Sequence, residues 1–367
     1  MENIYEKLGL KRVINASGRI THYGVSTISN EVGKSMVEAA QNYVVMDDLL
    51  DACGKIVSKY TGGEDACITP NTSAAICLSC AAIMTGVDRK KIEQIPDTKG
   101  MKNEFIIQLG HCVDYGEPIE TVIRTAGGKV VHVGYANKTE NWMVEGAINE
   151  NTAALIYVVS HHCVQKSMCA LKDYIEIAHR HNLPVLMDCS AEEDITRYVS
   201  YGADLVCYSG AKAICGPTSG FVTGKKNLID AVKLQYKGFG RIMKIGKENM
   251  VGLAKAVEIY AQRNEEKVAI DNEKKVEHLI DLLEDIKCIE TSKTYDEAGR
   301  AICRCAVKIL PNSPKSASEV VAELQSGNPG IYTRNHYLNM GIINFDPRPL
   351  IDGDEELIAK RLKEILE

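Results

Sequence analysis

Short apolar runs alternate with longer amphipathic runs from about residue 64 to about residue 235, and this alternation constrains the fold more than any other feature. Continuous Val, Ile and Leu runs separated by helical stretches are typical of a mainly parallel sheet that helices cover on both faces. We therefore predict a large α/β domain with a mainly parallel seven-stranded sheet. The predicted strands are Ala66–Thr69, Glu104–Leu109, Lys129–Val133, Ala153–Val159, Pro184–Asp188, Asp204–Tyr208 and Ser219–Thr223, with helices such as Pro118–Ala126, Thr139–Asn149 and Leu171–His181.

The length of the chain, 367 residues, is more than one hydrophobic core usually serves, so we expect one large and one smaller domain. Residues 1–45 are expected to form an arm that packs on the smaller domain or on a partner subunit, and residues 46–246 to form the large domain. Residues 247–367 are expected to hold a linking helix, rich in Lys and Glu, and a small C-terminal α+β domain. Its predicted strands are Ala301–Ile309, a strand near Ile331 and Gly341–Phe345, and its predicted helices are Ser316–Gln325 and one from Asp354.

The composition excludes several classes of protein. Hydrophobic residues make up 45% of the chain and charged residues 25%, an ordinary globular balance. No run of eighteen apolar residues occurs and the start lacks the apolar core of a signal peptide, so we expect a cytoplasmic protein that does not enter membranes. The net charge of −6 and the pI of about 5.9 argue against a nucleic-acid partner.

Thirteen cysteines are scattered through the predicted strands and helices. Without an export signal, we expect them to be reduced and mostly buried thiols. Cys77 and Cys80 have CxxC spacing but lie inside an apolar helical run, and no second CxxC or histidine pair stands at zinc-finger distance. We therefore predict no metal site.

The segment from Asp204 to Lys226, DLVCYSGAKAICGPTSGFVTGKK, places a lysine directly after a buried strand. The strand ends in a tight Ser209-Gly210 turn, and Lys212 follows among small residues. Partial desolvation at such a place favours the neutral amine, which can form a Schiff base with an aldehyde. The alternative is an ordinary strand-end lysine beside a Gly-Pro turn.

Two further segments end predicted strands with polar residues. In the segment Thr69–Ala75, TPNTSAA, the hydroxyls of Thr72 and Ser73 stand at a helix start, where backbone N–H groups and the helix dipole bind phosphate. A simple N-cap explains the same residues. Asp188 ends the apolar run PVLMD, and a buried carboxylate there is costly unless a cation meets it. A protonated pyridine nitrogen is one such cation, whereas an N-cap or a structural ion pair is the alternative.

The three features together describe one site. Asp188 and Lys212 are 24 residues apart, which leaves room for one short helix and one strand, so both would project from the carboxyl ends of strands in one sheet. A phosphate-binding helix start, a buried carboxylate and a lysine in this order are the parts of a site for pyridoxal 5'-phosphate, PLP. We therefore predict PLP as the cofactor.

Several segments also resemble a known family. They are VINASGR from Val13, Gly110-His111, VGYANKT from Val133, SGAK from Ser209 with Gly216-Pro217, GRIMK from Gly240 with Lys247-Glu248, YTR from Tyr332, and DPRP from Asp346. Over nearly its whole length the chain resembles the selenocysteine synthase-like branch of the fold-type I PLP enzymes, and most closely the D-glucosaminate-6-phosphate ammonia-lyases. The lysine segment marks the wider superfamily, and the first segment, GRIMK with Lys247-Glu248, and DPRP point to the lyase branch.

The resemblance implies roles for the residues that bind the cofactor. Lys212 would be the Schiff-base lysine and Asp188 the partner of the pyridine nitrogen. The cofactor phosphate would be held by Asn71, Thr72, Ser73 and Ser209. His111 would lie against the cofactor ring, where a neutral imidazole stacks or transfers a proton; the alternative is a loop histidine with ordinary partners.

The resemblance also implies a reaction, a substrate class and an assembly. The enzyme would eliminate water and then ammonia from a 2-amino-3-hydroxy sugar acid phosphate, D-glucosaminate 6-phosphate, to give the 2-keto-3-deoxy acid. Candidate substrate-binding residues are Arg334 or Arg348 for the carboxylate, and Arg19, Arg241, Lys244 and Lys247 with Tyr23 for the distal phosphate. Lys244 and Lys247 would share a face if a helix begins at Lys244, and a solvated basic turn is the alternative. Arg348 has a structural alternative, an ion pair with Asp346 or Asp352. A homodimer is the smallest assembly expected.

Three other functions remain open from the sequence. The first is a selenium or sulfur transferase on an aminoacylated tRNA, which shares the elimination step. The acidic pI argues against it, and so does the start of the recognisable domain within about ten residues of Met1, which leaves no room for a tRNA-binding domain. The second is another PLP lyase, racemase or aminotransferase on an amino acid. The third is a cofactor-binding protein without turnover.

Overall fold

A computed structural model describes residues 3–160, 162–296 and 302–367. The chain forms two compact units, a larger one of Ile28–Gln262 and a smaller one of Met1–Thr27 with Arg263–Glu367. These limits differ from the boundaries expected at residues 45 and 246, because the helices on either side of residue 45 and the helix after residue 246 pack with the larger unit. The first residue of the predicted strand Ala301–Ile309 lies outside the described residues.

The strands and helices of the described residues follow in chain order. The strands are β1 (Val13–Ala16), β2 (Asp65–Thr69), β3 (Glu104–Gln108), β4 (Lys129–Val133), β5 (Thr152–Val158), β6 (Val185–Asp188), β7 (Leu205–Ser209), β8 (Gly220–Gly224), β9 (Ile289–Tyr295), β10 (Cys303–Ile309), β11 (Gly330–Thr333) and β12 (Ile342–Phe345). The helices are α1 (Ile4–Lys7), α2 (Asn30–Gln41), α3 (Met46–Thr61), α4 (Thr72–Thr85), α5 (Arg89–Gln94), α6 (Ile119–Thr125), α7 (Asn141–Ala147), α8 (Leu171–Arg180), α9 (Arg197–Ser200), α10 (Lys226–Gln235), α11 (Lys247–Gln262), α12 (Glu265–Leu283), α13 (Ala317–Ser326) and α14 (Asp354–Leu366).

The larger unit contains one mixed sheet of seven described strands in the order β2-β8-β7-β6-β5-β3-β4. The pairs from β7 to β4 are parallel, whereas β8 runs antiparallel to both of its neighbours. Every residue of β2, β5, β6 and β8 is buried, as expected for a sheet whose faces helices cover. The predicted α/β fold class and the mainly parallel seven-stranded sheet are confirmed.

The predicted cofactor-binding residues of the larger unit lie at one edge of this sheet, where the strands end. Because β8 is antiparallel to β2 and to β7, the strands β2 and β7 run in the same direction. The carboxyl ends of β2, β3, β5, β6 and β7 therefore lie at a single edge, the place where open α/β sheets bind ligands. Asn71, His111, Asp188 and Lys212 end or follow four of these strands.

The smaller unit is an α+β structure, as predicted for the C-terminal part. An antiparallel sheet has the order β12-β10-β9, and β1 pairs in parallel with β11, with Val13 opposite Gly330. Its core consists of apolar residues of these strands and of α12, α13 and α14. The strand β9 was not among the predicted elements.

Two features bear on the class of protein. Among the described residues, no helix combines the length and the apolar character that crossing a membrane requires. All thirteen cysteines are free thiols, and ten of them are buried.

Candidate active site

The turn after β7 holds Lys212 in a fixed position. The Gly210 N–H donates to the Ser219 carbonyl at 3.0 Å, and the Lys212 N–H donates to Ser209 Oγ at 3.3 Å. A Cβ atom on Gly210 would overlap the Ser219 hydroxyl and the Leu253 side chain, so this position requires glycine. Lys212 itself is half-buried, and the desolvation of its amine stays a prediction.

Asp188 ends β6 and is buried, with 4% of its surface exposed. Its Oδ1 atom accepts hydrogen bonds from the Ser190 N–H at 3.0 Å and from the Ser190 hydroxyl. Burial raises the pKa of Asp188, whereas the two Ser190 hydrogen bonds and the charge of Lys212 lower it. The carboxylate is thus within electrostatic reach of Lys212, and burial makes a cationic partner favourable.

The predicted phosphate-binding residues stand at the start of α4. The Asn71 side chain caps this helix by accepting from the Ala74 N–H at 2.8 Å, so the N-cap is Asn71 and not the Thr72 or Ser73 hydroxyl of the cap alternative. Gly220 pairs with both Thr69 and Ser209, so β8 connects this turn to the lysine turn. A Cβ atom on Gly220 would stand 2.7 Å from Thr72 N. The helix start and the lysine turn therefore lie side by side.

His111 lies in a short 3-10 turn, Leu109–His111, and has no exposed surface. Its Nδ1 atom accepts from the Val158 N–H at 3.3 Å, and its ring packs edge-on against Tyr157 with 4.5 Å between ring centres. Burial lowers the pKa of His111 to about 4, although the Val164 backbone opposes part of this shift. The imidazole is therefore neutral at pH 7 and carries its proton on Nε2, which has no hydrogen-bond partner among the described residues.

Gly110 lies where two of the segments that carry the family resemblance contact each other. A Cβ atom there would stand 2.8 Å from Met168 Sδ and 3.0 Å from the Ala136 carbonyl oxygen. The segment VGYANKT from Val133 therefore packs directly behind the turn that carries His111. The two segments are therefore in close contact at Gly110.

Tyr115 and Ser190 belong to this site, and the sequence reasoning missed both. Burial raises the pKa of Tyr115, the negative charge of Asp188 adds to the shift, and a hydrogen bond with Ser73 opposes it. Tyr115 therefore stands between the start of α4 and the end of β6. Ser190 was visible as a small hydroxyl two residues after Asp188, the spacing of a local Asx turn. Nothing in the sequence around Tyr115 distinguishes it from an ordinary loop tyrosine.

The smaller unit contains a buried group of charges. Asp346 accepts from Arg304 Nε at 3.0 Å and from Arg348 Nε and Nη2 at 2.9 and 2.8 Å. Arg304 also pairs with Asp296 at 3.1 Å. Two arginines thus converge on Asp346, and the structural alternative for Arg348, an ion pair with Asp346, is the arrangement present.

Arg334 lies beside this group and is half-buried. Its main chain pairs with Asn344, and no ion pair to its guanidinium is found within the described residues. Burial lowers the pKa of Arg334, and the charges of Arg304 and Arg348 lower it further. The charges of Asp346 and Asp296 oppose this shift, and a bound anion would offset the cost of burying the guanidinium.

The remaining predicted substrate residues are separated between the units. Arg19 and Tyr23 belong to the smaller unit, where the Tyr23 ring packs on Tyr332 with 4.5 Å between ring centres. Arg241 and Lys244 are exposed residues of the larger unit. The helix α11 begins only at Lys247, so Lys244 and Lys247 do not share a helical face. Lys247 donates instead to the carbonyl oxygens of Ala40 and Asn42.

Comparison with known proteins found relatives that match this chain over nearly its whole length. A D-glucosaminate-6-phosphate ammonia lyase of Salmonella typhimurium is 44% identical over 366 residues, which cover 100% of this chain and 98% of the relative. A 5'-C-glycyluridine monooxygenase-decarboxylase of Streptomyces sp is 36% identical over 365 residues, 99% of this chain and 92% of the relative.

Solved structures include one that bears the same name as the first of these relatives. The structure of a D-glucosaminate-6-phosphate ammonia-lyase has a TM-score of 0.94 at 44% identity and covers 99% of this chain and 98% of its own. A serine palmitoyltransferase from S. paucimobilis with PLP and myriocin bound has a TM-score of 0.57 at 13% identity over 96% of this chain and 87% of its own, a likeness of fold alone. The fold is that of the fold-type I PLP enzymes. The SelA family model, described as L-seryl-tRNA selenium transferase, matches residues 13–287, well over half of the chain, and the chain therefore belongs to the SelA family.

Proposed function

We propose that this chain is a PLP-dependent ammonia-lyase that converts D-glucosaminate 6-phosphate to 2-keto-3-deoxygluconate 6-phosphate and ammonia. The observation that carries the proposal is the 44% identity to an ammonia lyase of that name over 98% of the relative's length. The side-by-side placement of Lys212, Asp188 and the start of α4 supports it independently, since these are the parts that a PLP site needs.

Three observations indicate that the residues of the larger unit fit PLP. Burial raises the pKa of Asp188, so a protonated ring nitrogen would be a favourable partner for it. The buried Nε2–H of His111 has no partner among the described residues and could donate to a bound group. Gly220 allows the lysine turn to approach the first peptide of α4, where backbone N–H groups favour a phosphate.

Each residue then has a defined task. Lys212 would hold the cofactor through its amine, and Asp188 would keep the ring nitrogen protonated while Ser190 fixes the Oδ1 atom of Asp188. Thr72, Ser73 and Ser209 would hold the phosphate, with Tyr115 bonded to Ser73. When bound, PLP supplies a conjugated ring that accepts the electron pair left when the substrate loses its C2 proton.

Proton transfer falls to Lys212 in this proposal. With substrate bound, the Lys212 amine would take the C2 proton and, as an ammonium, would give a proton to the departing C3 hydroxyl. His111 is a weak candidate for that second step, because its pKa of about 4 leaves it uncharged at pH 7. The water lost from C3 is balanced by the water that later hydrolyses the enamine, so the net products are the keto acid and ammonia.

The test measures both products. Wild-type protein loaded with PLP is expected to release ammonia and 2-keto acid in equal amounts from D-glucosaminate 6-phosphate. Unphosphorylated D-glucosaminate and L-serine serve as controls for the distal phosphate and for the substrate class. Release of carbon dioxide with oxygen uptake, or transfer of the amino group to an added keto acid, would contradict the lyase assignment. The homodimer implied by the resemblance stays a prediction.

Replacing Arg334 by alanine is expected to lower kcat/KM for the sugar acid phosphate by roughly 10- to 150-fold, mainly through KM. This range corresponds to the 1.5–3 kcal/mol that a hydrogen bond to a charged group contributes. Arg334 is the better candidate for the carboxylate because Arg348 already donates three hydrogen bonds to Asp346. Arg361→Ala, at a partly exposed arginine paired with Glu364, is the matched control. Equal kcat/KM in the two variants would rule out the role of Arg334.

A further inference from the structure

A second site lies beside the turn that carries His111. Cys112 ends this turn, Glu120 stands in the first turn of α6, and His132 is the penultimate residue of β4. One ligand atom of each residue, a thiol sulfur, a carboxylate oxygen and an imidazole nitrogen, lies within 4.8 Å of the other two. Among the described residues, this is the one such group of three. None of the three residues has a task in the proposed reaction.

The geometry points to a site for a single divalent cation of the zinc type, and we propose that Cys112, Glu120 and His132 bind Zn²⁺, with water as a fourth ligand. Thiolate, imidazole and carboxylate are the three ligand types that zinc takes in proteins, at about 2.0–2.3 Å. Tetrahedral ligands at those lengths are roughly 3.3–3.7 Å apart, so side-chain rotations of about an ångström would close the site. The His132 side chain is 43% exposed, which gives water access to the open position.

The fold holds the three ligands on separate elements. His132 is opposite Ile107 in the parallel pair of β3 and β4, and β4 is an edge strand of the sheet. The Cys112 N–H donates to the Leu109 carbonyl at 3.2 Å, and α6 begins seven residues after Cys112. A bound ion would therefore tie the turn of His111 to the edge strand and to α6.

The charge and the atom types of the three ligands favour zinc over Mg²⁺ and Ca²⁺. Glu120 and a Cys112 thiolate carry two negative charges that a divalent ion neutralises, and binding releases the thiol proton to solvent. Mg²⁺ and Ca²⁺ prefer oxygen ligands, so a site with sulfur and nitrogen disfavours them. Without an ion, His132 Nε2 and Glu120 Oε1 are 2.8 Å apart, so the same two residues form a hydrogen-bonded pair.

The test measures zinc binding by the full chain. After dialysis against a chelator, equilibrium dialysis with Zn²⁺ is expected to give one bound zinc per chain. Cys112→Ser and His132→Gln are each expected to weaken binding by at least about tenfold, the effect that losing even an outer partner of a metal ligand produces. The matched control is His278→Gln, which removes a histidine paired with Glu356 at 2.9 Å but without a thiol beside it. This control should bind zinc as tightly as the wild type.

Two further readouts separate ligand loss from misfolding. Co²⁺ should give the visible bands of a four-coordinate thiolate site in wild type and His278→Gln, and Cys112→Ser should lose the sulfur contribution. Zinc should raise the Tm of wild type and of His278→Gln but not of the two ligand variants. Absence of zinc binding at millimolar concentration, or binding that Cys112→Ser and His132→Gln leave unchanged, would overturn the proposal.

Discussion

A Lys212→Ala variant is expected to release ammonia and 2-keto acid at least about a thousandfold more slowly than the wild type. The loss combines two tasks of one amine, because Lys212 would hold the cofactor and would also transfer the C2 proton. A positioned acid or base alone contributes roughly 10²- to 10⁴-fold. The fold should survive, since the hydrogen bonds from the Gly210 N–H to Ser219 and from the main-chain N–H of residue 212 to Ser209 are kept when residue 212 is alanine.

The measurement has a second readout that does not depend on turnover. Borohydride reduction of PLP-loaded wild type, followed by peptide mass analysis, should place a pyridoxyl group on Lys212, and the variant should carry none. Lys226→Ala is the matched control, because this exposed lysine begins α10 and its amine forms an ion pair with Asp230, one helical turn further along. Turnover retained by Lys212→Ala, or a pyridoxyl group found on another lysine, would contradict the assignment.

The sequence predicted the buried sheet well and the polar strands poorly. All strands of the larger sheet agree with the predicted runs to within one residue at each end, because each of them contains a short run of apolar residues. The strand β9, IETSKTY, was missed since it is an edge strand whose mostly polar residues leave no apolar pattern. Apolar periodicity reports burial, and β9 lacks it because Ile289 alone of its seven residues is buried.

The residues of the candidate site were likewise predicted only in part from the sequence. Asp188 and Lys212 could be predicted from the sequence because a charged residue at or just after the end of a buried strand is costly unless it has a partner. The placement of Tyr115 next to Ser73 could not be predicted, since it depends on how the loop between the turn Leu109–His111 and α6 folds. The sequence also did not show whether Arg334 or Arg348 is the better candidate for the substrate carboxylate. The structure does, because it shows that Arg348 is hydrogen-bonded to Asp346.

Asp346→Asn is expected to lower the free energy of unfolding by about 3–5 kcal/mol. Asp346 is fully buried and accepts from Arg304 and from Arg348, so removing its charge leaves two largely buried cations undercompensated. Urea unfolding followed by circular dichroism measures the change. Asp352→Asn, an exposed aspartate of the same segment, should change stability by less than about 0.5 kcal/mol.

The same carboxylate makes a pH-dependent contribution whose sign is fixed by its environment. Although burial opposes it, the charges of Arg348 and Arg304 lower the pKa of Asp346 from 3.8 to about 2. A pKa lower in the folded than in the unfolded chain gives stability that is present above pH 4 and lost as the pH falls towards 2. The difference in unfolding free energy between wild type and Asp346→Asn should therefore shrink by about 2 kcal/mol over that interval. A difference that stays constant from pH 6 to pH 2 would mean that the Asp346 charge does not stabilise the folded unit.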